Sequence, residues 1–364
     1  MLKTADRHSL TSRACRARKC FLVSLLLRAA SLRSITSLSL LLLFSVAASA
    51  SWVKQQSGTM AWLRAAYFLD AKRGWAAGSN GTLLETADGG ETWRAASRRP
   101  TEDTIRDIYF ADEKNGWIVC ERDLYRLRTE DEARTYLMKT VDGARTWQMV
   151  NLGLEAHARL VRAVFTEGGR VWAFGEAGAL YSSSDGGTTW SRRSPPTRYL
   201  LLGGTFLDGE RGWLVGARST ILQTFDGGET WRAGMVETRD VRFTAVSFAE
   251  PRIGWAVGSM GRIFMTLDGG RTWRAQNSPV QSDLTDVKFL DASEGWAVGA
   301  DGVLLYTRNS GLKWSLEPSG TTHPLERIVF SGRDRAWAVG FGGTILSYTR
   351  TSQGPTAPAL RRQK

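Results

Sequence analysis

Six glycine-rich segments each place one short polar side chain in the same frame: Asp88, Asp142, Asp185, Asp226, Asp268 and Asn309. The frame reads Ser/Thr-x-Asp-Gly-Gly-x-Thr-Trp and is complete at Thr86–Trp93, Ser183–Trp190, Thr224–Trp231 and Thr266–Trp273. Thr140–Trp147 carries Ala144 for the second glycine, and Thr307–Trp314 carries Asn309 and Ser310 for the aspartate and first glycine. Carboxylates in glycine loops suggest calcium, but each loop brings one where about six oxygen ligands are needed. A turn accounts for every part of the frame. The aspartate accepts hydrogen bonds from the backbone N–H groups that follow it, the glycines supply positive φ, and the threonine and tryptophan pin the hairpin. These residues are therefore expected to be structural, with no metal and no cofactor.

Other chemistry is sparse. Outside the first fifty residues the histidines are His157 and His323, far apart in sequence, so neither a triad nor a metal site is legible. A glycosidase would need two carboxylates, or a tyrosine and its activating acid, with arginines to hold an anionic sugar. No acidic residue stands out as such a pair, and no catalytic residue is expected.

The elements that position these segments follow from the tryptophans. Trp75, Trp117, Trp172, Trp213, Trp255, Trp296 and Trp337 form one series, each preceded seven residues upstream by a phenylalanine, from Phe68 and Phe110 to Phe289 and Phe330. Trp52, Trp93, Trp147, Trp190, Trp231, Trp273 and Trp314 form a second, and only Trp62 stands outside a period of about 41 residues. Each period reads as four short strands between glycine-rich turns; in the fifth these are Ala245–Phe248, Gly254–Val257, Arg262–Thr266 and Thr272–Ala275. Four strands repeated seven times predict an all-β fold, a seven-bladed β-propeller. Trp52 has the register of a fourth-strand tryptophan with no strands before it, so residues 51–56 are expected to complete the last blade and close the ring.

Alternating strand directions place the glycine boxes on one face, and the second-to-third turns and between-blade connections on the other. Departures from the repeat collect on the second face. Trp117 to Asp142 spans 25 residues where five other blades use 13. The insert brings Arg122, Arg126 and Arg128, and nearby connections bring Arg98, Arg99, Arg159, Arg198, Arg218 and Arg239. Blades 6 and 7 offer no comparable arginines in their connections. Arginine's planar fork suits carboxylates and desolvated interfaces, so these residues and Trp62 are the candidates for partner binding, against a solvated surface of mixed charge as the plain alternative.

The chain has 364 residues, 42% of them apolar, enough for a sizeable core. The formal charge is +12, but residues 1–50 hold +7 and residues 350–364 hold +4, leaving +1 for residues 51–349. A general nucleic-acid or polyanion binder is excluded on that distribution. Residues 1–50 run from a basic stretch into an apolar Ile35–Val46 and end in Ala48-Ser49-Ala50, a pattern that predicts an export signal cleaved after Ala50. Residues 51–349 are then the propeller, and 350–364 a basic tail expected to be disordered. Export leads to a periplasm or thylakoid lumen. Cys120 alone remains after cleavage, so no internal disulfide is expected, and the chain is expected to be a monomer.

The box is the Asp-box signature of sialidase-type repeat propellers. Gly-Trp-Ala-Val-Gly at 254–258 followed by Thr-Leu-Asp-Gly-Gly-Arg-Thr-Trp at 266–273, repeated over residues 51 to about 349, resembles the photosystem II assembly and stability factors and their bacterial homologues. The resemblance implies a non-enzymatic assembly factor that binds a membrane-protein subunit or its lumenal or periplasmic segment. A carbohydrate-binding or glycan-cleaving propeller is the alternative class.

Overall fold

The computed structural model describes residues 51–350, except 124, 126, 128, 130, 131, 154–158, 167, 168 and 239. Seven antiparallel sheets follow one another along the chain. Their innermost strands touch neighbour to neighbour all round, from Leu63–Phe68 through Leu325–Ser331 and back, which closes a seven-bladed propeller. In blade 5 the strands are Phe243–Phe248, Gly254–Gly258, Ile263–Thr266 and Thr272–Gln276. The first begins earlier than the expected Ala245, because a bulge between Phe243 and Ala245 lets the chain pair on past the break in register. Met235–Val236 adds a short parallel strand outside Thr272–Gln276.

In six of the seven blades the phenylalanine that precedes the series tryptophan packs against the tryptophan of the preceding blade. Phe68 stacks on Trp337 at 3.5 Å between ring centroids, Phe110 on Trp75 at 3.7 Å, Phe248 on Trp213 at 3.5 Å and Phe289 on Trp255 at 3.4 Å. The same phenylalanine lies over the glycine that opens its own second strand, where a Cβ at Gly74 would come within 2.5 Å of Phe68. One residue type thus couples strand to strand and blade to blade. Trp172, Trp213, Trp255, Trp273 and Trp337 are fully buried. Each contributes roughly 4–6 kcal/mol as an upper bound, from about 150–250 Å² at about 25 cal/mol/Å².

Closure is by the N-terminal strand, as the register predicts. Trp52–Lys54 pairs antiparallel with Ile345–Thr349, Trp52 opposite Tyr348. The Gln55 amide donates to Ser347 Oγ at 2.6 Å, and the Trp52 ring meets Trp296 edge-on at 5.4 Å. Blade 7 has no box: Tyr348 stands where the box Ser/Thr would be, and Trp52, paired with it, stands where the box tryptophan would be. The described chain therefore both enters, at Ser51, and leaves, at Arg350, on the box face.

Candidate functional site

Each of the seven innermost strands shifts register near its start: between Leu63 and Ala65, Ile105 and Asp107, Leu160 and Arg162, Leu201 and Gly203, Phe243 and Ala245, Leu284 and Asp286, and Leu325 and Arg327. A bulge leaves its extra residue unpaired and re-aims its side chain. The seven bulge residues, Arg64, Arg106, Val161, Leu202, Thr244, Thr285 and Glu326, all line one cavity of about 420 Å³ at the connection-face mouth of the central channel. Trp62, Arg162, Arg242, Asp283 and Arg327 also line it.

The ring is chemically lopsided. In blades 5 and 6 the bulge threonines are engaged with backbone: Thr244 Oγ1 donates to Leu284 O and Thr285 Oγ1 to Leu325 O, each at 2.6 Å. In blades 1 and 2 the same position carries arginines. Arg64 reaches Glu326 at 3.4 Å, and its guanidinium lies 3.7 Å from the Trp62 ring centroid. Burial holds the Arg64 pKa below its ordinary value against the pull of Glu326, and the like charges of Arg106 and Arg159 lower it further. Arg64 Nε and Trp62 Nε1 are buried and have no hydrogen-bond partner among the described residues.

Behind Arg106 lies buried Glu121, which accepts from Arg106, from Arg159 Nε at 2.5 Å and from Arg134 Nη2 at 3.3 Å. Burial alone would raise the Glu121 carboxyl, but the hydrogen bonds from Arg159 and Arg106 outweigh it and leave it below its ordinary value. Arg159 also donates to Glu176 at 2.7 Å. Arg64, Arg106, Arg134 and Arg159 thus share Glu121, Glu176 and Glu326, and positive charge is in excess on this arc.

Deeper in the channel, Asp107 and Asp286 occupy the residue after the bulge in blades 2 and 6. Asp107 accepts from Arg327 across the ring at 3.3 Å and from the Ala163 N–H at 3.3 Å. Asp286 accepts from the Val287 and Ile328 N–H groups at 3.0 and 3.1 Å. Burial pushes the Asp107 carboxyl up to about 6, with the positive charge of Arg162 pulling the other way. Asp286 is raised for the same reason.

Of the residues singled out from sequence, Trp62 lies at the mouth and Arg159 in the network behind it. Arg122 is turned inward on the insert: it pairs with Glu132 at 3.1 Å, donates to Ala133 O at 2.5 Å and covers the Tyr136 ring. Arg98 and Arg99 line a small recess with Arg145, away from the channel; Arg99 reaches Glu102 at 3.8 Å. Arg198 is exposed, and Arg218 pairs with Asp240 at 3.3 Å. Arg126, Arg128 and Arg239 lie outside the described residues, as do His157 and the expected leader. Blade 7, read as lacking comparable arginines, supplies Arg327 from a strand. Arg64, Arg106, Arg162 and Arg327 escaped a search of the connections because they stand on strands, at or just after the bulge residue eleven positions before each series tryptophan, and Arg242, in the connection before Phe243, was passed over.

On the opposite face the boxes are closed systems. Asp88 accepts from the Thr92 N–H at 2.9 Å and from the Thr92 and Thr86 hydroxyls at 2.5 and 2.8 Å. Asp142, Asp185, Asp226 and Asp268 repeat this, and Asn309 Oδ1 accepts from Thr307 and from the Lys313 N–H. Hydrogen bonds from the Thr92 hydroxyl and N–H hold Asp88 down at about 2, and those from Thr230 do the same for Asp226.

Fold and site together define a box-repeat propeller with a basic, partly open channel mouth. The family described as Photosynthesis system II assembly factor YCF48 matches residues 96–195, 194–277 and 274–349, and the chain belongs to it. A 126-residue stretch is 28% identical to the photosystem II stability/assembly factor HCF136, chloroplastic, of Arabidopsis thaliana, spanning 33% of this chain and 28% of that relative's length. Among solved structures, one described as YCF48 bound to D1 peptide superposes with a TM-score of 0.69 at 21% identity, covering 85% of this chain and 98% of that one. Virginiamycin B lyase from Staphylococcus aureus superposes with 0.68 at 11% identity, covering 83% of this chain and 100% of that one, so enzymes share the architecture.

Proposed function

We propose that this protein is an exported, non-enzymatic assembly factor that holds a carboxylate-bearing segment of a membrane-protein subunit at the connection-face mouth of its channel. The observation that carries the reading is the excess of arginine at the mouth, where Arg64, Arg106, Arg162, Arg242 and Arg327 stand against Asp283 and Glu326. A carboxylate there accepts charge-assisted hydrogen bonds in a half-buried setting, where such bonds are strong. The aromatic and apolar rim, with Phe341, Met60 and Met260 exposed, suits flanking apolar side chains. Family membership and a solved relative with a bound peptide support a peptide ligand. Asp107 and Asp286 are already engaged by Arg327 and backbone N–H groups, which favours binding over glycan cleavage. Export to a periplasm or thylakoid lumen rests on the leader, and a chloroplastic relative fits it.

The test is capture of the partner from native membranes by Arg64→Glu/Arg242→Glu beside the parent protein, with matched melting curves. Loss of capture is expected, with melting unchanged in Arg242→Glu alone. Undiminished capture overturns the assignment, and glycosidase activity in the purified protein moves it to the other class.

A further inference from the structure

The boxes put one residue of each blade at the same place. In blades 1 to 6 the third strand ends on the box Ser or Thr, and the first residue past it is Ala87, Val141, Ser184, Phe225, Leu267 or Arg308. All of these are exposed, Val141 and Leu267 at 59% and Phe225 at 41%. Blades of a propeller are copies related by rotation about the channel axis, so the positions stand at one height on the box face. A lone exposed apolar side chain is ordinary on a protein surface. Here Ala87, Val141, Phe225 and Leu267 are apolar at one repeated position, and no blade places a carboxylate there. Blade 6, with Arg308 at this position, offers Leu312 instead, 80% exposed, where the boxes of blades 1 and 2 carry Glu91 and Arg145.

The seventh place on this ring has no box. There the described chain leaves at Arg350, held by its backbone N–H on Asp334 O at 2.8 Å and by its guanidinium on Glu294. Residues 351–364 follow, with Arg361, Arg362 and Lys364 and no Asp or Glu. The folded part of the face is mixed in charge. Asp70, Asp112 and Asp291 accept N–H groups of their own first-to-second turns, and exposed Glu91 and Glu250 stand among Arg94, Arg145, Arg252 and Arg271. Net positive charge is therefore supplied by residues 351–364.

We propose that the box face rests on a lipid bilayer, with Val141, Phe225, Leu267 and Leu312 in the interfacial layer and the basic residues after Arg350 against anionic headgroups. Apolar side chains at one height on separate blades suit a flat surface, which all of them meet at once. Binding of this kind grows with the apolar area buried and with the number of basic residues near the headgroups. The channel mouth then points away from the bilayer, and a membrane-protein segment reaches it by extending past the ring.

The chain from Ser51 contains every strand of the closed ring, and its co-sedimentation is measured with vesicles of phosphatidylcholine alone and of phosphatidylcholine and phosphatidylglycerol in equal parts. Partition onto both is expected, tighter onto the mixed vesicles. Val141→Ser/Leu267→Ser/Leu312→Ser, for which Ser184 is the natural precedent in blade 3, should weaken both at least about tenfold with melting unchanged. A stop after Arg350 should weaken binding about tenfold on the mixed vesicles alone, and Arg242→Glu, on the opposite face, should change neither. No partition onto either vesicle, partition undiminished in the serine variant, or mixed-vesicle binding untouched by the stop overturns the proposal. A loss in Arg242→Glu places the lipid contact on the mouth face and overturns it as well. So does a dimer in light scattering that the serine variant dissociates, which assigns the apolar positions to a second copy of the chain.

Discussion

On the box face Asp226 takes its hydrogen bonds from Thr224 and Thr230 inside one turn, while near the other face Glu121 is shared by Arg106, Arg134 and Arg159 from two neighbouring blades. The first arrangement is local and complete, so it can repeat six times with little change. The second is assembled from residues far apart in sequence and leaves donors open. A polar group satisfied within its own turn stabilises the ring, and one satisfied by borrowing across blades can be offered to a ligand.

The largest expected effect separates the two faces outright. Arg64→Glu/Arg242→Glu should cost several kcal/mol in partner binding, since like charges close together at an interface carry penalties of that order. Arg242 is exposed, where a charge change alters stability by only about 0–1 kcal/mol, whereas Arg64 is partly buried against Glu326 and its reversal should lower stability as well, so Arg242→Glu alone separates binding from folding. Next comes the core common to both faces: Trp255→Ala, which empties the stack on Phe289, should lower stability by about 3–5 kcal/mol in denaturant titration. Peptide binding at temperatures where the variant stays folded should survive.

Asp226→Ala is the mirror of the arginine reversal. It removes the acceptor for the Thr230 N–H and two hydroxyls and should lower stability by about 1–2 kcal/mol with binding unchanged. A chelator should alter neither; a fall in melting temperature with chelator would show that the boxes hold a cation.

The smallest effect is that of pH. Above about 6 the Asp107 carboxylate offsets Arg327, and below it the neutral acid does not, so capture of an anionic segment should strengthen severalfold between pH 7.5 and 5.5. Because this group takes up its proton more readily folded than unfolded, its contribution to stability is present at low pH and lost as pH rises through about 6. The box aspartates act oppositely. With Asp88 and Asp226 held at about 2, their contribution is present above the ordinary carboxyl range and lost as pH falls through about 2. Asp107→Asn should flatten the binding profile without touching the acid limb of the melting curve.

The ring was legible because it is a packing problem solved the same way seven times. Phe248 and Trp255 show their period in any one copy, and Trp52 shows its blade by register alone. The mouth was harder to see. Two of its arginines, Arg64 and Arg106, occupy the bulge position of strands that read as apolar and look in isolation like ordinary alternation. Searching the connections found Arg159 and Trp62 but also Arg122, whose role at the base of the insert depends on Glu132 and Tyr136 folding back toward it. Asp107 and Arg327 are 220 residues apart, and nothing local in either strand announces their pairing.

Both ends of the described chain lie on the box face, and the basic mouth opens on the other. Strands of about six residues rise roughly 20 Å, so the ring acts as a spacer of that height between whatever holds its ends and whatever its mouth holds. A fluorophore, a bead or a second domain joined at either end would hang clear of the mouth. Two labels, one at Ser51 and one on a captured segment, would report the thickness of the ring by energy transfer.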